Sequence, residues 1–323
     1  MLPTLPGTLP ALLDDETRQR LRDTHYNATL IERIDVHHDL FRIRVRPDAA
    51  FKAFEPGQYV AIGLGNWEPR IQSAQLEILE EKKWQKLVRR AYSISCPLIA
   101  ADGTLMTCDS IDYLEFYITL VRQAGEDMGK PPALTPRLFA LGPGDRLVVE
   151  QKITGHYTLA GINQDDTVLM IGTGTGEAPH NSMTAHLLKQ GHRGRIINAT
   201  TVRNRVDLGY LEEHRRLMDH FPQYRYIPMT TRDPENLEPA HPNYVGKQYI
   251  QSLFTSGRLA EMAQDRLDPS NTHVFLCGNP AMIGLVRAGE PLPVQPGMLP
   301  LLAAAGFTNP AHGPGHVRYE KYW

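Results

Sequence analysis

The sequence has few cysteines and no long apolar run. Its 323 residues include three cysteines, Cys96, Cys108 and Cys277, an odd number without C-x-x-C spacing. They cannot form a disulfide framework or a four-cysteine zinc or iron–sulfur site. No stretch approaches the ~20 apolar residues that cross a bilayer, and the amino-terminal segment lacks the basic start and apolar core of a secretion signal. We expect a cytoplasmic protein without membrane insertion.

An excess of one charge is also absent. The 34 basic residues are balanced by 36 acidic residues, for a net charge of -2. A nucleic-acid-binding protein usually carries a basic footprint, so this function is not expected. At roughly 150 residues per domain, the length predicts about two domains.

The first half of the chain has the period-two pattern of half-buried strands. Residues 1–24 form an N-terminal extension, with a short polar helix capped by Asp14 or Asp15. Residues 25–158 contain alternating segments such as LIERIDV and YLEFYITLVR, bounded by Pro, Gly or Asp. Many strands with little helix predict an antiparallel barrel or sandwich.

The pattern changes between residues 155 and 163. Residues 159–323 alternate short, continuous apolar strands with segments of helical spacing. This alternation predicts an α/β domain with a parallel sheet and right-handed crossovers.

The strongest local motif is GTGTG at Gly172–Gly176, which ends an apolar strand and precedes a helix. Glycines there allow the backbone to approach a pyrophosphate, and free amides at the helix start attract its charge. A tight structural turn is the alternative interpretation.

The strand after this motif lacks the acidic residue that usually selects NAD. It ends instead in Arg203 and Arg205, and Arg232 follows the next strand. A guanidinium group can donate two parallel hydrogen bonds to the oxygens of one phosphate. These residues therefore favour NADP with its 2'-phosphate. The alternative is that they occupy a solvated face.

Two further patterns carry candidate residues. Arg90 and Tyr92 of the sequence RAYS share one face of a strand, where they fit a diphosphate and an aromatic ring, although cross-strand packing also explains them. Cys277 and Gly278 follow an apolar strand, and the glycine leaves room for a flat ring. An isolated cysteine in this setting is more often a small buried hydrophobe. The sequence ends in Trp323, an aromatic ring that would bury a large area against a flat partner.

The strand-rich first half, RAYS, GTGTG, CGNPAM and the aromatic C-terminus occur in one order across residues 26–323. Together they resemble the ferredoxin–NADP reductase family, in particular the bacterial type that ends in tryptophan. The resemblance implies an FAD-binding antiparallel β-barrel followed by an NADP-binding α/β domain with a parallel sheet. It also implies hydride transfer from NADPH to FAD, followed by single-electron transfer to ferredoxin or flavodoxin.

The resemblance also implies roles for individual residues. FAD contacts are expected at Arg90, Ala91, Tyr92, Ser93, Tyr117, Ala133, Leu134 and Thr135. NADP contacts are expected at Gly174, Arg203, Arg232, Lys247 and Gly278. Thr175 is expected to face both cofactors, and Trp323 to stack on the flavin ring. Ser93, Cys277 and Glu320 are the candidate catalytic residues, which tune flavin protonation or nicotinamide orientation, and no metal is required.

Residues 66–89 make a longer connection than the compact bacterial enzymes would need, and we expect an extra hairpin there. Its Lys82, Lys83, Lys86 and Arg89 either steer an acidic ferredoxin or form an exposed face balanced by Glu80 and Glu81.

Two other functions remain open. A reductase of the same architecture could serve an oxygenase component, a ferric chelate or a quinone. A flavin-binding subunit that senses redox state without turnover could use the same fold.

Overall fold

The structure is a computed structural model that describes residues 13–124, 129–285, 295–308 and 315–322. The described chain divides into two compact units. The first contains the residues up to Phe54 together with 59–93 and 112–154, and the second contains 55–58, 94–111 and the residues from Gly155 onward. The domain bounds at residues 24/25 and 158/159 remain a prediction beside this division.

The first unit is built on a six-stranded antiparallel sheet. Its strands are β1 (Ala28–His37), β2 (Leu40–Pro47), β3 (Tyr59–Gly65), β4 (Leu87–Ser93), β7 (Leu114–Thr119) and β8 (Arg146–Val149), and their order is β4-β3-β8-β1-β2-β7. The end strands approach each other, because the rings of Tyr92 on β4 and Phe116 on β7 lie 6.4 Å apart. This contact is consistent with the curved sheet of a barrel.

The polar segment before β1 forms helix α1 (Asp15–His25), as predicted. Asp14 caps it by accepting a hydrogen bond from the Thr17 amide, an interaction that typically contributes about 1 kcal/mol. Leu21 is buried, and Arg22 forms a two-point ion pair with Glu68. The N-terminal helix is therefore attached to the connection that follows β3.

The predicted hairpin in this connection is wrong. Residues 66–86 contain no strand, and their only regular element is a 3-10 turn at Glu81–Lys83. The segment is held by long-range bonds instead: the amide of Ile71 donates to the carbonyl of Pro136, and that of Gln75 donates to Arg122. With its backbone bonded to other parts of the unit, the segment has no need of a partner strand of its own. The first unit also contains helix α2 (Thr135–Leu138).

The second unit is built on a five-stranded parallel sheet, as predicted. Its strands are β9 (Thr167–Thr173), β10 (Ile196–Val202), β11 (Tyr224–Thr230), β12 (Thr272–Gly278) and β13 (Val317–Lys321), in the order β11-β10-β9-β12-β13. A two-stranded ribbon of β5 (Leu98–Ile99) and β6 (Leu105–Met106) also belongs to this unit. All seven residues of β12 are buried, which explains its continuous apolar sequence.

Short helices connect and cover the parallel strands. They are α3 (Glu177–Lys189), α4 (Leu211–His220), α5 (Pro234–Leu237), α6 (Ile250–Thr255), α7 (Arg258–Ala263), α8 (Pro280–Ile283) and α9 (Met298–Ala304). The apolar core lies between the sheet and α6, α7 and α9, and includes Ile171, Leu253 and Leu302. Among the described residues, no helix is long and apolar enough to cross a membrane.

Candidate functional site

The GTGTG motif connects β9 to α3 by a tight turn at Gly174–Gly176. Gly174 has a φ of +53°, and a Cβ added there would meet no atom within 4 Å, so the backbone faces open space. At Gly176, an added Cβ would lie 2.4 Å from the carbonyl oxygen of Cys277. The turn is thus packed against β12 on one side and leaves room for an external group on the other.

The carboxyl ends of β9 and β12 are held together at Gly278. Its φ is +118°, and an added Cβ would lie 2.3 Å from Thr173 Oγ1. The amide of Asn279 donates to the same hydroxyl at 2.7 Å. Only glycine allows the backbone of β12 to approach Thr173 this closely. The fold therefore requires a glycine at position 278, next to the GTGTG turn.

Two candidate catalytic residues face each other on adjacent strands. Cys277 on β12 is in register with Glu320 on β13. Burial raises the pKa of the Cys277 thiol well above its ordinary value, so the thiol is neutral near pH 7. Burial also raises the pKa of Glu320 to about 7, and its buried Oε2 has no hydrogen-bond partner among the described residues.

The three predicted 2'-phosphate ligands lie on exposed segments beyond the parallel strands. The carbonyl of Arg203 accepts hydrogen bonds from the amides of Thr231 and Arg232, so the two arginine-bearing segments are adjacent. Within the described chain, no carboxylate forms an ion pair with Arg203, Arg232 or Lys247. These cations are available to an anionic ligand.

Arg205 behaves differently from Arg203. Its side chain donates to Glu235 at 3.1 Å, and its amide donates to Asp233 at 2.9 Å. Arg205 also lines a cavity of about 220 Å³ together with Thr230 and Gln248. The carboxylate partner offsets its charge, so it is a weaker candidate for binding a phosphate than Arg203.

On β4, the RAYS residues do not alternate in burial, because Arg90 and Ala91 are both exposed, Tyr92 is half-buried and Ser93 is buried. Ser93 is buried, and its Oγ lacks a hydrogen-bond partner among the described residues, which suits a polar group of a ligand. The side chain of Arg90 donates a hydrogen bond to the carbonyl of Arg89. Tyr92 makes the edge-to-face contact with Phe116, so cross-strand packing accounts for part of its environment.

The remaining predicted residues of this unit lie on β7 and at the start of α2. Tyr117 is buried on β7, next to the strand residue that touches Tyr92. Leu134 is buried, and Thr135 Oγ1 accepts a hydrogen bond from the Val121 amide at 3.1 Å. The carbonyl of Ala133 accepts from Arg137. Trp323 lies outside the described residues.

Behind the glycine turn lies a buried network that sequence analysis missed. Glu177, the first residue of α3, accepts a hydrogen bond from Tyr226 at 2.6 Å, and its Oε1 is 3.0 Å from His214 Nε2. His214 stacks on Tyr226 with ring centroids 3.9 Å apart, and its Nδ1 lies 2.7 Å from the hydroxyl of Tyr224. The network fixes the start of α3 and with it the glycine turn. An acidic residue directly after GTGTG was its only sequence signal.

Comparisons with known proteins agree with this architecture. The family model for an oxidoreductase NAD-binding domain matches residues 170–288. Ferredoxin–NADP reductase A of Sorangium cellulosum is 30% identical over 198 residues, which are 58% of this chain and 64% of that protein. The flavodoxin/ferredoxin–NADP reductase of Buchnera aphidicola is 25% identical over 262 residues, covering 81% of this chain and 88% of its own. These matches support the ferredoxin–NADP reductase family for this chain.

A solved reductase of this family has the same fold. The ferredoxin–NADP reductase of Neisseria gonorrhoeae, determined with bound FAD and NADP, superposes with a TM-score of 0.67 at 18% identity and covers 92% of this chain and 98% of its own. The antiparallel unit and the parallel-sheet unit of the present reductase correspond to the barrel and the α/β domain of that fold. The predicted fold class is confirmed, and the matches support the predicted family, whereas the C-terminal tryptophan of the predicted bacterial type stays a prediction.

Proposed function

We propose that this reductase exchanges electrons between NADP(H) and ferredoxin or flavodoxin through FAD. Family membership and the names of its relatives support an NADP-dependent flavin oxidoreductase. The Neisseria enzyme was determined with bound FAD and NADP, and its fold matches the two sheets of this chain. FAD and NADP(H) are therefore the cofactors of this chain.

The observation that carries the proposal is the set of unpaired cations beyond the glycine turn. Arg203, Arg232 and Lys247 have no carboxylate partner in the described structure, while Arg205 and Arg193 in the same unit do. A hydrogen bond from a cation to a phosphate contributes roughly 1.5–3 kcal/mol. We assign the three residues to the 2'-phosphate of NADP(H). Lys247 supplies charge without the planar fork of arginine.

The residues of the barrel unit fit FAD. When bound, FAD supplies the conversion between two-electron and one-electron transfer. Arg90 binds the diphosphate, Tyr92 lays its ring against the flavin, and the unpaired Ser93 hydroxyl bonds a ring nitrogen. Tyr117 contacts the ribose side. Ala133, Leu134 and Thr135 surround the pyrophosphate.

The residues of the parallel-sheet unit orient nicotinamide and control its protons. Gly174 and Gly278 admit the dinucleotide, and Thr175, in the middle of the turn, is assigned to face both cofactors. Cys277 remains neutral and excludes water, because its thiol is fully buried. Glu320, with its pKa near 7, holds or releases a proton at the end of β13. Trp323, which lies outside the described residues, is assigned to cover the flavin ring.

The 66–89 connection supplies the observations on the electron acceptor. In the 66–89 connection, Lys82 pairs with Glu80 and Arg89 pairs with Glu150, whereas Lys83 and Lys86 have no carboxylate partner in the described chain. Unpaired lysines favour an acidic electron carrier such as ferredoxin, because they raise the encounter rate. An oxygenase component, a ferric chelate or a quinone are the alternative acceptors.

An absorbance experiment tests the proposal. Purified full-length protein should be yellow, and anaerobic NADPH should bleach the flavin band much faster than NADH at equal concentration. Ferredoxin or flavodoxin should then restore the colour. A colourless protein that takes up no FAD would contradict the cofactor assignment, and a yellow protein that NADPH does not bleach would support the redox-sensing alternative.

A further inference from the structure

The connection after β3 contributes a buried charged cluster that the proposed function does not explain. Glu77 Oε2 lies 3.0 Å from Arg70 Nη1 and 2.6 Å from Arg137 Nη2. The Arg137 side chain is 1% exposed and that of Glu77 is 5% exposed. Arg70 and Glu77 belong to residues 66–77, which we call the brace segment, while Arg137 lies in α2. The cluster therefore joins the connection to the helix.

Both arginines also bond the turn that precedes α2. Arg70 Nη2 donates to the carbonyl of Pro132 at 2.9 Å, and Arg137 Nη1 donates to the carbonyl of Ala133. The Ile71 amide adds a bond to the carbonyl of Pro136 at 3.0 Å. These carbonyl oxygens, which would repel an anion, are thus occupied by donors. The turn is the one assigned to the FAD pyrophosphate.

The cluster carries an excess of positive charge. Two guanidinium groups share one carboxylate, and among the described residues no second carboxylate pairs with either. The Nε atoms of Arg70 and Arg137 are buried without a hydrogen-bond partner in the same part of the chain. Burial lowers the pKa of Arg70 despite the attraction of Glu77, and the charge of Arg137 lowers it further. A nearby anion would offset this excess.

We propose that the brace segment is a positioning device for the pyrophosphate of FAD. Glu77 holds Arg70 and Arg137 in place, the two arginines fix the turn at Pro132 and Ala133, and their uncompensated charge stabilises the bound pyrophosphate. The inference rests on the proposed function, because it needs FAD as the cofactor. It assigns to the extra connection a role in cofactor affinity and in selection of FAD over FMN.

The variant Arg70→Met tests the proposal. It removes one positive charge and the bond to Pro132, and it leaves Glu77 and Arg137 as an intact neutral pair, so the protein should fold. Flavin-loaded full-length protein is diluted, and the fluorescence of released flavin gives the dissociation constant. We expect FAD binding to weaken about tenfold and FMN binding, with a single phosphate, to weaken about threefold or less. Arg70→Lys keeps the charge, so its dissociation constant for FAD should lie between those of wild type and Arg70→Met.

Two controls separate positioning from a loss of structure. Arg46→Met removes an arginine of the same unit, paired with Asp112 on the surface, and should leave both flavin affinities unchanged. Melting without flavin reports the stability of each variant. Unchanged FAD affinity in Arg70→Met, or equal losses of FAD and FMN affinity, would overturn this inference and leave the proposed function standing. A wild-type protein that binds no FAD would instead refute the proposed function.

Discussion

The buried carboxylates of the two units have different partners. In the barrel unit each one pairs with arginine: Glu68 with Arg22, Glu77 with Arg70 and Arg137, and Glu115 with Arg44. In the parallel-sheet unit, Glu177 is bound by Tyr226, Thr200 and His214, and Asp166 is bound by His273. An arginine keeps its charge at every accessible pH, whereas a histidine does not. In the second arrangement, the two buried carboxylates use no arginine of their unit.

The variant Glu77→Ala would break the arginine arrangement of the barrel unit. It leaves the buried guanidinium of Arg137 and the partly buried guanidinium of Arg70 without a carboxylate, and losing one partner of a buried pair typically costs about 3–5 kcal/mol. We expect the first unfolding transition of the full chain in urea to move to a much lower concentration. The matched control is Glu80→Ala, which removes an exposed carboxylate paired with Lys82 and should change stability by less than about 1 kcal/mol. Similar effects of the two substitutions would contradict the comparison.

A further buried histidine of the parallel-sheet unit predicts that this unit is sensitive to acid. Burial lowers the pKa of His180 to about 3 from an ordinary value of 6.5, and its Nε2 lies 2.8 Å from the hydroxyl of Tyr157. Below pH 6.5 this histidine is protonated in the unfolded chain but stays neutral in the folded chain. The free energy of unfolding therefore decreases as the pH falls. Between pH 7 and pH 5 this one group should cost about 2 kcal/mol.

Unfolding of wild type and His180→Gln at pH 7 and pH 5 measures that cost. The variant should lose about 2 kcal/mol less on acidification than wild type does. His156→Gln, which removes an exposed histidine of the same unit, should retain the wild-type difference. The raised pKa of Glu320 acts in the opposite direction, because its protonation favours the folded state at low pH, but it is common to all three proteins. An acid response that His180→Gln leaves unchanged would show that the buried imidazole is not its source.

The sequence predicted the two sheets because each has its own periodicity. Alternation along β2 and continuous apolar runs such as β12 are local properties that a single segment displays. The GTGTG turn was predicted for the same reason, since its glycines, strand and helix are consecutive. Arg203 was assigned from the end of the next strand, and family resemblance then implied roles for residues such as Tyr117 and Thr135, which no local pattern had indicated.

The buried clusters were not predictable in this way. Arg137 meets Glu77 across 60 residues, and His214 meets Glu177 across 37. Each partner taken alone is an ordinary charged or polar residue in a polar or mixed segment. The expected hairpin at 66–89 failed for a related reason, because the bonds of that segment run to Pro136 and Arg122 and not to a neighbouring strand. Tertiary partners of this kind leave no periodic signal.

The free arginines of the parallel-sheet unit give the last and smallest expected effect. Arg203→Glu replaces an exposed, unpaired cation with an anion at the assigned 2'-phosphate position. We expect kcat/KM for NADPH to fall at least about tenfold and that for NADH to change little, because NADH lacks the 2'-phosphate. The measurement is steady-state reduction of a ferric chelate with each nucleotide.

Arg193→Glu is the matched control, since it makes the same charge change in the same unit at an arginine already paired with Asp165. It should leave the NADPH to NADH ratio within about twofold of wild type, because long-range effects between exposed charges are screened by salt. If Arg203→Glu and Arg193→Glu lowered NADPH use equally, overall charge and not a specific phosphate contact would explain the loss. Equal losses of kcat/KM with NADPH and NADH in Arg203→Glu would instead place the side chain away from the 2'-phosphate. The absence of a carboxylate partner would then no longer distinguish a ligand-binding arginine from a surface arginine.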